Sequence, residues 1–216
     1  MKKEAFIEKY YPFAKQAELE SKIPALFALA QSALESGWGK HAPGNMLFGI
    51  KVGSAKNFGG WTGKKQLIST TEYSSKPDLR YPYIYPGFPV KLTSGKWKYR
   101  IKDYFRAYPS PLNAFLDWAG LLTKASHYKK AMQQKDDPYQ FAEEVAKAGY
   151  ATGPNYASKI KAIMRDIEDK LPEEEKPQPS QENPIIQKLK KNRLPIFLLV
   201  AGSALVIYSI THRVLS

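Results

Sequence analysis

Between Lys22 and Lys40 the chain carries one ionisable side chain, Glu35, on an otherwise apolar stretch that reads as a helix and stops at Gly37. Two effects would act together on such a carboxyl group. Apolar surroundings disfavour its charged form, and so does the partial negative charge of a helix C-terminus, so its pKa is expected above the ordinary carboxylate value. A carboxylic acid still protonated near neutral pH can hand a proton to a glycosidic oxygen. The competing reading is a side chain that escapes to solvent at the helix end, and the surrounding residues have to decide.

Other chemistries have little to draw on. There is no cysteine, which excludes disulfides and thiolate metal sites, and the three histidines, His41, His127 and His212, are too scattered for a zinc cluster. No metal and no cofactor is expected. The 33 Lys and Arg against 20 Asp and Glu give a formal charge of +13, which suits an acidic polymer, an anionic membrane or a nucleic acid equally. No recognised nucleic-acid module accompanies the charge, so a nucleic-acid partner is not expected.

The elements that must position Glu35 can be read from periodicity. At 216 residues the chain can hold one domain with a sizeable core plus an appendage. Phe6, Ile7, Tyr10, Phe13, Ala14 and Ala17 recur at helical spacing over residues 2–20, with Pro12 expected to kink or break the helix. Residues 23–36 are apolar nearly all round, have Pro24 near the first turn and end at Gly37, the pattern of a core helix. From 37 to about 108 the texture changes to glycines, prolines and short β-prone runs, including 66–73 and 99–108, which predict a small sheet or hairpin lobe. Gln66, Ile68, Thr70 and Glu72 would share one strand face, so Glu72 could point into a cleft or into solvent. Prolines 77, 82, 86 and 89 mark 74–98 as a long loop or extra hairpin. Helical patterns return at 111–123, 138–148 and 154–171, each opened by a proline. The expected fold class is α+β, mainly α, with a helical lobe and a small β-hairpin lobe.

Several separated motifs then narrow the chemistry. Ala33-Leu34-Glu35-Ser36-Gly37-Trp38-Gly39, followed by Asn45-Met46-Leu47-Phe48-Gly49-Ile50-Lys51, resembles the glycoside hydrolase family 73 glucosaminidases. Trp61-Thr62-Gly63, Thr70-Thr71-Glu72-Tyr73, Phe105-Arg106-Ala107-Tyr108 and Ala148-Gly149-Tyr150-Ala151-Thr152 continue the match in the family's order, over about residues 3–168. The resemblance implies a lysozyme-like fold and cleavage of the β-1,4 linkage between N-acetylglucosamine and N-acetylmuramic acid in peptidoglycan. It assigns the general acid to Glu35, and to Glu72 the activation of water or the stabilisation of positive charge on the sugar. Retention, inversion and participation by the substrate acetamido group all stay open. Tyr150 maps onto the family's active-site tyrosine, with a buried structural tyrosine as the rival. Trp38, Asn45, Phe48 and Tyr156 are candidates for lining the site, and core packing is open to each. One departure falls at Gly153, where relatives commonly carry aspartate as the cap of the last helix; glycine is a tolerable cap.

Beyond a catalytic domain of 1–171, residues 172–184 are polar and proline-rich, as in a semi-extended linker, and 185–193 form a basic segment. Residues 194–211 are uncharged, reach roughly 27 Å as a helix, and are expected to form a C-terminal transmembrane anchor. Lys188, Lys190, Lys191 and Arg193 before that run would place the enzyme on the cytoplasmic side, at odds with a wall substrate. The N-terminus lacks a conventional secretory signal, which with a tail anchor suggests a phage product working in lysis or infection, at a virion or host-cell membrane. The alternatives are a catalytically silent glycan-binding or structural membrane protein of a virion, and a muramidase or lytic transglycosylase of the same fold.

Overall fold

The computed structural model describes residues 1–54, 56–151 and 155–176. Helix α1 (Lys3–Ser21) runs through Pro12 without the expected break. Pro12 and Glu8 are both exposed while Tyr11 and Ala14 are buried, so the carbonyl that loses its partner at the proline lies on the solvent side. Helix α2 (Ala25–Ser36) has every residue buried except Leu34 and Glu35. An all-round apolar helix needs cover on all sides. It receives it from α1, from α5 (Pro138–Lys147) and from α6 (Tyr156–Glu168), while α3 (Pro111–Lys124) packs across α1. A short 3-10 turn, Ser126–Tyr128, and the one-turn helix α4 (Lys129–Met132), neither evident from periodicity, connect α3 to α5.

The last helix starts later than its sequence pattern suggests. Its cap is Asn155, at a left-handed φ of 71°, and not residue 153; Gly153 and Pro154 lie outside the described residues. The folded part also continues past 171. Leu171 is buried, Glu173–Glu175 form a 3-10 turn, and the Tyr11 hydroxyl donates to the Glu175 carbonyl at 2.9 Å, so the start of the expected linker packs on α1. No helix among the described residues is long and apolar enough to cross a membrane, and the expected anchor at 194–211 lies outside them.

The β lobe is one antiparallel sheet. Strand β1 (Lys65–Ser74) pairs along its whole length with β4 (Trp97–Arg106), from Lys65 opposite Arg106 to Ser74 opposite Trp97. The proline-rich segment between them supplies two short strands, β2 (Tyr83–Ile84) and β3 (Val90–Lys91), and both pair with β4 instead of with each other.

Sheet and helices are joined by a buried ion pair. Arg106, the last residue of β4, meets Asp117 of α3 at 2.6 Å, with both side chains at most 1% exposed. The same Asp117 carboxylate accepts from the Tyr108 hydroxyl at 2.8 Å and from the Phe58 backbone N–H at 3.2 Å, and Arg106 donates to the Lys56 carbonyl and lies 4.7 Å from the Trp61 ring centre. The loop bearing Phe58 can lie on α3 because residue 60 is glycine: a Cβ there would sit 2.0 Å from the Asn113 carbonyl oxygen. Asp117→Ala would strand a buried guanidinium without its carboxylate. We expect it to lower the unfolding free energy by about 3–5 kcal/mol in urea denaturation, whereas a loss below about 1 kcal/mol would contradict this anchoring role.

Candidate active site

Glu35 occupies the final turn of α2, which ends where Gly37 adopts φ 58° as its C-cap. Ser36 ties the turn that follows, donating to the Ser32 carbonyl at 2.6 Å and accepting from the Gly39 N–H at 2.9 Å. The Glu35 side chain is accessible to solvent, yet the protein mass around it strips away enough water to raise its pKa. One hydrogen bond opposes that shift: the Gln31 amide N–H donates to Glu35 Oε1 at 2.8 Å. Gln31 is itself fully buried one helical turn earlier, and its amide oxygen accepts from the Tyr156 hydroxyl at 2.7 Å. That second bond fixes which end of the amide faces Glu35.

Tyr150 belongs to the same group. Its hydroxyl accepts from Trp118 Nε1 at 2.9 Å, its ring lies 5.6 Å from that of Tyr156, and burial pushes its pKa up, with a smaller push from Glu35. It therefore stays a neutral phenol, with its proton left to donate. Behind it, Trp118 stacks on Phe48 at 4.5 Å with the rings 5° apart, and Phe48 meets Phe115 edge-on. Phe48 is 6% exposed and sits in the core beneath the site. Trp38 holds a left-handed φ of 58° and packs against α1, edge-on to Phe6 and under the Lys3 ammonium. Asn45, also left-handed, donates to the Tyr108 carbonyl at 3.0 Å and so pins its loop to the end of the β lobe.

Glu72 lies in a second cluster. Gln66, Ile68, Thr70 and Glu72 do share the half-buried face of β1. Lys51 reaches Glu72 Oε1 at 2.8 Å and Asp103 at 3.0 Å, close to the rings of Tyr81 and Phe105. Burial works to lower the Lys51 pKa, but its two carboxylate partners outweigh it and the net shift is upward. Of the residues singled out from sequence, Glu35, Tyr150 and Tyr156 come together through Gln31, whereas Glu72 is engaged by Lys51. Gln31 and Trp118 were not among the candidates. The signal for Gln31 was available: an amide four residues before Glu35 shares its helix face. Trp118 carried none beyond its place in an amphipathic helix. Among the described residues no group of three His, Cys, Asp or Glu side chains is placed to hold a metal.

A carboxyl group with a raised pKa at the edge of a helical lobe, beside a small antiparallel sheet carrying further carboxylates, is the architecture of the lysozyme-like glycoside hydrolases. The glycoside hydrolase domain of FlgJ from Salmonella typhimurium has that fold, with a TM-score of 0.58 and 26% identity over 89% of this chain and 96% of that one. Residues 11–169 match the glucosaminidase family, described as mannosyl-glycoprotein endo-beta-N-acetylglucosaminidase, and the chain belongs to that family. The peptidoglycan hydrolase FlgJ of Escherichia coli K12 is 34% identical over 177 residues, covering 77% of this chain and 48% of the relative. A probable N-acetylmuramidase of Lactococcus lactis is 31% identical over 171 residues, covering 74% and 33%. The chain thus spans about a third to a half of the length of the curated relatives it matches.

Because the Gln31 bond lowers the Glu35 pKa, removing it should raise that pKa further. We expect carboxyl-carbon NMR to show Glu35 titrating above the usual glutamate range in the wild type and higher again in Gln31→Ala. A downward shift in the variant would reverse the sign assigned to this bond.

Proposed function

We propose that the chain hydrolyses the β-1,4 bond between N-acetylglucosamine and N-acetylmuramic acid in peptidoglycan, with Glu35 as general acid. The observation that carries this reading is the Glu35 carboxyl itself: solvent-accessible, its pKa raised by desolvation, and oriented by a buried amide. Glu35 gives its proton to the glycosidic oxygen as the bond from C1 to that oxygen breaks. Water adds to C1, and its proton leaves to a base. Glu72 is the candidate for that base, or for the charge that steadies the oxocarbenium-like sugar. Lys51 occupies one of its oxygens, so the other would face the sugar or the water. Tyr150 would hold the substrate through the phenolic proton that Trp118 leaves free.

The kinship with a probable N-acetylmuramidase keeps the neighbouring linkage in play, since the same acid can serve either bond. The reading extends to a membrane tether formed by the uncharged run 194–211 behind a basic segment, in a phage-encoded lysis or infection enzyme. Deleting 194–211 should move the protein from the membrane fraction to the soluble one; unchanged fractionation would refute the tether.

Glu35→Gln should cut muropeptide release from purified sacculi by about 10²–10⁴-fold. Mass spectrometry of the wild-type products should find N-acetylglucosamine at the new reducing end. N-acetylmuramic acid there would reassign the enzyme as a muramidase, an anhydro sugar as a lytic transglycosylase, and undiminished release by Glu35→Gln would remove Glu35 from the chemistry.

A further inference from the structure

The sheet has a second face, opposite Glu72, that the proposed reaction does not use. Strand alternation and the β1–β4 register put Ser69 and Thr71 on it, directly across from Lys102 and Arg100. Tyr73 and Lys98 continue it at one end, Leu67 and Tyr104 at the other. Tyr83 joins from β2, opposite Lys102, and Tyr85 lies two residues further on. None of these positions is acidic; the sheet's own carboxylates, Glu72 and Asp103, are both taken up by Lys51 on the other side.

On this outward face three of the cations are held by aromatic rings instead of by acids. Lys65 lies 4.3 Å from the Tyr104 ring centre, Arg100 5.3 Å from Tyr85 and Lys102 5.6 Å from Tyr83. Tyr83 and Tyr85 meet edge-on at 5.0 Å, and the Tyr85 hydroxyl reaches across β4 to Ser69 at 2.8 Å. The positive charge is thereby fixed in place without being neutralised. Tyr73 and Tyr83 remain 58% and 43% exposed. A strand of ten residues runs roughly 33 Å, the length of an extended polymer segment and not of a small molecule.

We propose that this face docks an anionic peptidoglycan strand outside the catalytic site, the cations meeting lactyl and stem-peptide carboxylates and the open tyrosines and hydroxyls meeting the sugars. The partner's identity rests on peptidoglycan being the substrate. Charge complementarity selects an anion, and the mixture of phenols and hydroxyls with a single aliphatic side chain, Leu67, favours a glycan over a lipid surface. Docking there would keep an enzyme beside an insoluble polymer between cuts.

The test uses the full chain in three charge states: wild type, Lys98→Gln with Arg100→Gln and Lys102→Gln, and the charge-conserving Lys98→Arg with Arg100→Lys and Lys102→Arg. Binding to purified sacculi is measured by sedimentation in a Glu35→Gln background, so that no cleavage intervenes. The neutralised protein should bind at least tenfold more weakly, the charge-conserving one like wild type, and added salt should narrow the gap. With Glu35 restored, hydrolysis of a short soluble glycan fragment should agree between the three within about twofold. Equal sacculus binding by the neutralised protein would overturn the proposal. So would wild-type binding to duplex DNA or to anionic phospholipid vesicles as tight as to sacculi and equally lost on neutralisation. If wild-type enzyme releases no muropeptides while the binding difference persists, the hydrolase reading fails and the docking face stands.

Discussion

Arg106 and Asp117 are buried together where the sheet meets the helices, and the β lobe and the loop over α3 take their position from that pair. Removing two charges from water costs several kcal/mol per ion, so such a pair contributes little net stability unless its remaining hydrogen-bonding capacity is met. Here groups from two further segments engage it: the Tyr108 hydroxyl, and the Phe58 N–H and Lys56 carbonyl of one loop. Few other arrangements of the β lobe against α3 would satisfy both charges at once. The pair acts less as glue than as a register mark, locating the end of β4 and the loop over α3.

The acid site is organised on the opposite principle, from rigid apolar material outward. Phe48, Phe115 and Trp118 form an aromatic bed with one outward-facing donor, the Trp118 N–H, which seats Tyr150. Tyr156 orients Gln31, and Gln31 orients Glu35. Glu35 is held by the fully buried Gln31, and Tyr150 by the buried Trp118, so the series ends at a carboxyl that water can reach. Burial raises the Glu35 pKa while the amide limits the rise and holds the side chain in one place, a balance suited to the proposed proton donor, which must be reprotonated after each transfer.

The β lobe separates two kinds of surface across one sheet. Its Glu72 face gathers carboxylates around Lys51, and its outward face gathers cations around tyrosines. Strand alternation makes this division possible, because neighbouring residues point to opposite sides and their charges do not cancel locally.

Much of this was legible in the order of residues. The core helix ending at Gly37, the two long strands and the two helices that open on Pro111 and Pro138 follow from periodicity and end signals, and a lone acid in an apolar helix announces itself in any fold. Where local rules failed, solvent or tertiary packing overrode them: Pro12 sits inside α1 because its freed carbonyl faces water, and Glu173–Glu175 pack on α1 despite a linker-like composition. Periodicity also says which face a residue occupies but not what that face meets. Only the tertiary structure could place Phe48 under Trp118 and Trp38 against α1, commit Glu72 to Lys51, and bring Tyr156 to Gln31 across 125 positions of sequence. An isolated helix can supply the acid, but its partners come from segments far along the chain, and nothing local in their sequence encodes the meeting.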